Sequence, residues 1–117
     1  MKELEINGFK EKIVERSDYP IDRCKKILEN EVTAILGYGP QGYGQGLNMR
    51  DQGFNVILGL RRGSSWEKAV KDGWVEGQNL FEIDEATQRG TIIQFLLSDA
   101  GQIQAWPTVK ELSLIHI

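Results

Sequence analysis

Val32-Thr33-Ala34-Ile35-Leu36-Gly37-Tyr38-Gly39-Pro40-Gln41-Gly42 is the stretch on which the fold turns. The run Val32 to Leu36 is continuously apolar, without the alternation of a half-exposed strand, and predicts a strand buried on both faces, as in a parallel sheet. It leads straight into a G-x-G-x-x-G hexapeptide, and Gln41 to Gln52 then reads as a helix stopped by Gly53. A second apolar run rich in branched side chains, Phe54 to Leu60, follows. Strand, helix and strand within about thirty residues make a βαβ unit. In that setting each glycine has a mechanical role. Gly37 permits the tight turn, Gly39 lets backbone approach a pyrophosphate, and Gly42 lets the helix pack closely on the strand. The free N–H groups at the helix start would face the anion. Without the flanking strand and helix, the same hexapeptide would be a glycine-rich turn with no ligand.

Outward from this unit the alternation continues. Ser65 to Asp72 has helical spacing, with Trp66, Ala69 and Val70 on one face and Gly73 as terminator. Trp74-Val75 predicts a third, short strand, and Asn79 an N-cap for a helix from Leu80 to Arg89 closed by Gly90. Thr91 to Leu97 is the most strand-like segment of the chain, and Ser98-Asp99 opens a last helix running to Leu112 with a disturbance at Pro107. Strands alternating with helices predict an α/β fold: a Rossmann-type, doubly wound parallel sheet, incomplete at about four strands. Residues 1–31 read as a charged leader, with a helix entry at Ser17-Asp18-Tyr19-Pro20 and a short polar helix from Asp22 to Asn30.

Composition narrows the function. Fourteen Lys and Arg against seventeen Asp and Glu leave a net charge of -3, too little positive charge for a protein built to neutralise nucleic-acid phosphates. One cysteine, Cys24, and one histidine, His116, exclude an internal disulfide and a Cys/His zinc site. No apolar window is long enough to span a bilayer and no signal-like segment opens the chain, so the expected compartment is the cytoplasm or an organelle matrix. Cys24 reads as a structural thiol, the Asp84-Glu85 pair as a solvated helix face rather than metal ligands, and Trp66, Trp74 and Trp106 as core or interface anchors.

Nicotinamide enzymes that prefer the unphosphorylated cofactor usually carry an acid at the end of the second strand, about twenty residues past the glycines. Here that strand ends Gly59-Leu60-Arg61-Arg62-Gly63-Ser64-Ser65, two guanidiniums and two hydroxyls that suit a ribose 2′-phosphate. This favours NADP over NAD. The alternative at this position is a solvated basic turn ahead of a helix.

Taken together, Gly37 to Gly42, Gln45 to Gly53, Val56 to Arg61, Ser65 to Ala69 with Asp72-Gly73, and Leu96 to Gln102 resemble the ketol-acid reductoisomerases, also called acetohydroxy-acid isomeroreductases. The resemblance runs from residue 9 to about residue 111. It implies an enzyme of branched-chain amino acid synthesis that uses Mg²⁺ to shift an alkyl group in 2-acetolactate or 2-aceto-2-hydroxybutyrate, then reduces the product with NADPH. It also implies a homo-oligomer for the full-length protein. Carried over by position, Gly37, Tyr38, Gly39, Pro40, Gln41 and Gly42 would meet the cofactor through the glycine loop. Arg61, Ser64 and Ser65 would meet its 2′-phosphate, and Asp99, Ala100, Gly101 and Gln102 would line its other side.

Two departures stand out against the resemblance. The loop after Arg61 is about one residue shorter than the common family version, which leaves NAD open beside NADP. Leu112-Ser113-Leu114-Ile115-His116-Ile117 breaks from the family pattern and reads as a truncated or frame-shifted end. The division expected is therefore a leader at 1–31, a partial dinucleotide-binding domain at 32–111 and a non-family tail at 112–117. The family's catalytic histidine and its Mg²⁺-binding acids fall outside this sequence, so the expected catalytic and metal-ligand sets are empty and His116 reads as part of an apolar tail. Two other readings stay open: a non-catalytic NAD(P)-binding module, and an unstable truncation product.

Overall fold

The computed structural model describes residues 1–114, and for Ser113 and Leu114 the backbone alone. Ile115, His116 and Ile117, which include the expected apolar tail histidine, lie outside the described residues. Strands β1 (Lys2–Ile6) and β2 (Phe9–Ile13) form an antiparallel hairpin, followed by a short 3-10 turn (Arg16–Asp18) and helix α1 (Ile21–Ile27). The rest alternates: β3 (Thr33–Leu36), α2 (Pro40–Asp51), β4 (Val56–Gly59), α3 (Ser64–Lys71), β5 (Leu80–Phe81), α4 (Ile83–Arg89), β6 (Ile92–Phe95) and α5 (Asp99–Leu114). The last four strands make one parallel sheet in the order β5-β4-β3-β6. That is the Rossmann order for three strands and the fourth across the first, as the alternation predicts.

Both faces of β3 and β4, the central strands, are covered, while β6 is only half-buried. Ile35, Val56, Leu58 and Leu80 point to one side and pack with Trp66 and Ala69 of α3 and with Leu47 of α2. Their strand neighbours Ala34, Leu36, Ile57 and Phe81 point to the other and pack with Ala86 of α4 and with Ala105 and Val109 of α5. All residues of β3 and β4 are buried, which is why their sequences run apolar without alternation.

Two expectations from sequence are corrected. The third strand is not Trp74-Val75 but Leu80–Phe81; Trp74 is buried below α2, while Val75 begins a turn whose N–H donates to Asn79 Oδ1 at 2.7 Å. Asn79 therefore caps that turn, and α4 starts three residues later than expected, behind Glu82. The last helix runs past Pro107 as expected, to Leu114. The charged leader also holds a hairpin beyond the short helix expected there. Among the described residues no helix is long and apolar enough to cross a membrane.

Candidate cofactor site

Because β3, β4 and β6 are parallel, their C-terminal ends share one rim, and the three segments expected to touch a cofactor all leave from it. The first is the glycine loop. Gly37 has φ +114°, and a Cβ there would lie 2.5 Å from the Leu96 carbonyl oxygen, so the turn needs glycine both for its conformation and for the neighbouring strand end. At Gly42 a Cβ would meet the Gly37 carbonyl oxygen at 2.2 Å, which couples the helix start to the turn. Gly39, the N-cap of α2, has open space where its Cβ would be. Pro40 occupies the first helical position, where no N–H is needed, and Tyr43 N–H makes the first turn's bond to the Gly39 carbonyl at 2.8 Å. The amides of Gln41 and Gly42 precede that bond at the positive end of the helix. The loop thus offers backbone donors beside an open face, the form that a pyrophosphate requires.

Tyr38 turns its side chain inward. Its ring is buried, its hydroxyl donates to Asp72 Oδ2 at 2.6 Å, and burial first, then that bond, hold the phenol well above its ordinary pKa.

The second segment joins β4 to α3. Arg61, Arg62, Gly63, Ser64 and Ser65 line a cleft of about 290 Å³ with Leu97, Ser98 and Gly101 opposite. Gly63 is the N-cap of α3, and Ser64 and Ser65 form its first turn. The two arginines differ. Arg61 Nη1 donates to the neutral amide oxygen of Gln104 at 2.8 Å. Arg62 is held by the carboxylates of Glu76 and Glu82 and lies 3.9 Å over the Trp66 ring. Both arginines also border a larger cavity of about 550 Å³, whose walls include Ile83, Gln104, Ala105 and Thr108.

The third segment opens α5. Ser98 Oγ accepts from Gly101 N–H at 3.2 Å and its carbonyl accepts from Gln102 N–H at 2.7 Å, so Ser98 caps the helix. Gln102 turns back, its Nε2 donating to the Leu97 carbonyl at 2.9 Å, while Asp99 and Ala100 stay exposed. Gly101 faces the cleft and Asp99, Ala100 and Gln102 do not line it.

Sequence reasoning missed Gln104, Glu76 and Glu82. Glu82 follows β5 directly, so a correct placement of that strand would have put an acid beside the arginines. Asp84 Oδ1 accepts from Glu85 N–H, and Glu85 pairs with Arg89 at 3.1 Å, so both acids serve α4 itself. Cys24 donates to the Tyr19 carbonyl. Among the described residues no three His, Cys, Asp or Glu side chains converge, so the residues present do not fit a Mg²⁺ site.

Residues 27–113 match the family model described as acetohydroxy acid isomeroreductase, NADPH-binding domain. The chain belongs to that family. It is 51% identical over 111 residues to the mitochondrial ketol-acid reductoisomerase of Neurospora crassa, an alignment covering 94% of this chain and 28% of that protein. It is 46% identical over 112 residues to a ketol-acid reductoisomerase (NAD(+)) of Desulfosudis oleivorans, covering 95% of this chain and 32% of that one. A solved NADH-preferring ketol-acid reductoisomerase from an uncultured archean superposes with a TM-score of 0.67 at 32% identity, over 75% of this chain and 28% of that one. The acetohydroxy acid isomeroreductase domain seen here thus spans about 28% of the Neurospora relative, and its fold agrees with the incomplete Rossmann sheet expected.

Proposed function

We propose that this chain supplies the dinucleotide half-site of a ketol-acid reductoisomerase and favours NADPH. The observation that carries the reading is Arg61: an exposed guanidinium on the cleft wall whose partner is a neutral amide, so its charge remains available to an anion. The amides of Gln41 and Gly42 would take the pyrophosphate, with Gly37 and Gly39 giving it access. Arg61 with Ser64 and Ser65 would take the 2′-phosphate. Arg61 borders both the cleft and the 550 Å³ cavity, which suits an adenine lying next to its phosphorylated ribose, between Arg61 and the apolar floor of Ile83 and Ala105. Gly101 and the capped start of α5 would close the opposite wall, with Asp99, Ala100 and Gln102 around it.

When bound, the dinucleotide supplies the hydride; the residues of this chain bind and orient it. The substrates proposed for the whole protein are 2-acetolactate and 2-aceto-2-hydroxybutyrate, and a homo-oligomer of that protein is proposed with them. No step through Mg²⁺ is assigned to these residues. The division into a leader at 1–31, a partial dinucleotide domain at 32–111 and a tail at 112–117 is proposed on the same basis, as is a cytoplasmic or organelle-matrix location. The named Neurospora relative is mitochondrial. A non-catalytic dinucleotide-binding module is the second reading.

Titration calorimetry tests the assignment. Arg61→Ala is expected to weaken NADPH by roughly 1–3 kcal/mol, the scale of a lost charge-assisted contact, with NADH nearly unchanged. Equal loss for both cofactors would place the phosphate elsewhere.

A further inference from the structure

Arg61 and Arg62 are neighbours, both exposed and both on the wall of the same cleft, yet among the described residues only Arg62 faces an ion-pair partner. Arg62 Nη2 meets Glu76 Oε1, and its Nε lies 3.5 Å from Glu82 Oε1. The guanidinium also rests over Trp66, whose indole is 7% exposed and therefore fixed in the core. Glu76 comes from the turn before β5 and Glu82 is the residue after it, so the two ends of that strand bring both carboxylates to Arg62. Two carboxylates around one guanidinium leave that trio with one excess negative charge, in the hollow next to the cleft that Arg62 also lines. Glu82 lines the adjoining 550 Å³ cavity as well, together with Arg61 and Arg62.

We propose that Glu76 and Glu82 are specificity determinants of the dinucleotide site: they occupy the Arg62 guanidinium at the cleft wall with ion pairs and so leave recognition of the ribose 2′-phosphate to Arg61 and the start of α3. The inference rests on the dinucleotide reading above. Its physical basis is competition. A guanidinium engaged by two carboxylates and an indole must give up those contacts before it can reach a phosphate, and the carboxylates themselves oppose the incoming charge. An unphosphorylated ribose meets neither cost. The device therefore narrows the gap between NADPH and NADH without touching the glycine loop.

The test is a charge-release series measured by titration calorimetry with NADPH and NADH on the full chain. None of the three substitutions at Glu76, Glu82 and Arg62 should disturb the fold, since all three side chains are more than half exposed and Glu82 makes no side-chain cap bond to α4. Far-ultraviolet circular dichroism checks this. The double variant Glu76→Gln with Glu82→Gln is expected to bind NADPH roughly three- to tenfold more tightly, with NADH changed less than about twofold. Adding Arg62→Gln should then take back most of that gain, because Arg62 is what the carboxylates release. A double variant whose NADPH-to-NADH ratio stays within about twofold of the parent overturns the proposal. So does a gain that survives Arg62→Gln, which would mean simple repulsion rather than diversion of Arg62. Arg61→Ala in the same series separates the two levels: if it leaves NADPH binding intact, the phosphate placement itself is wrong, and if the parent chain binds neither cofactor, both readings fall.

Discussion

Tyr38 lies between two glycines of the cofactor loop, but its ring belongs to the core and its hydroxyl to Asp72. The bond ties the loop to the far end of α3, whose C-cap is Asp72. Tyr38→Phe is expected to cost about 1 kcal/mol near neutral pH, the value of one partly buried hydrogen bond to a carboxylate. Its pH dependence has a definite sign. The folded phenol is held protonated above its ordinary pKa by burial and by Asp72, so its contribution is fully present below about pH 10 and is lost as pH rises and the unfolded phenol ionises first. The stability gap between parent and Tyr38→Phe should therefore narrow by about 1 kcal/mol per pH unit above pH 10. Urea unfolding of both proteins at pH 8, 10 and 11 measures it; a constant gap would mean the phenol ionises equally in both states. The glycine hexapeptide announces the loop in sequence, whereas a tyrosine inside it gives no sign of pointing inward, because its partner is thirty-four residues away.

Legibility at the scale of elements follows the length and burial of each one. Strands β3 and β4 announce themselves because burial on both faces demands an unbroken apolar run. Strand β5 is two residues long, and Leu80, Ile83 and Thr87 share a helical period with Phe81 and Ala86, so helix spacing masks it. The hairpin carries a signal of its own: Asn7-Gly8 between Ile6 and Phe9 takes positive φ at both residues, the turn that an Asn-Gly pair favours. Gly59 is readable too, since a glycine inside a buried strand marks a close approach. A Cβ there would lie 2.6 Å from Leu36 Cδ2 and 2.7 Å from Ala86 Cβ, so α4 sits against β4 through small residues. Gly59→Ala is expected to destabilise by about 1–3 kcal/mol through overpacking. Gly44 is the contrast within α2, with open space at its Cβ position, and Gly44→Ala should stabilise by about 1 kcal/mol through helix propensity. Denaturant midpoints of the two variants would move in opposite directions; a shared direction would refute the packing distinction.

At the scale of the whole molecule the sheet is a hinge of connectivity. From β3 the chain passes through α2 and α3 on one face to reach β4 and β5, then through α4 on the other face to return to β6 on the opposite flank. The proposed dinucleotide lies across this switch, touching α2 and α3 from one layer and the start of α5 from the other. Its binding should therefore stabilise both layers as one cooperative unit rather than a single loop. At a free NADPH concentration about a hundredfold above Kd, linkage gives about 2.7 kcal/mol, which for a domain of this size raises Tm by on the order of 10 °C. Trp66 and Trp74 report on one layer and Trp106 on the helix of the other, so single-tryptophan variants followed by fluorescence during heating can resolve the two. The expected outcome is one shared transition that moves upward for all three reporters, with a smaller shift in Arg61→Ala. A shift confined to the Trp66 and Trp74 reporters would mean that the ligand engages the α2 and α3 layer alone, and that the start of α5 is not part of its site.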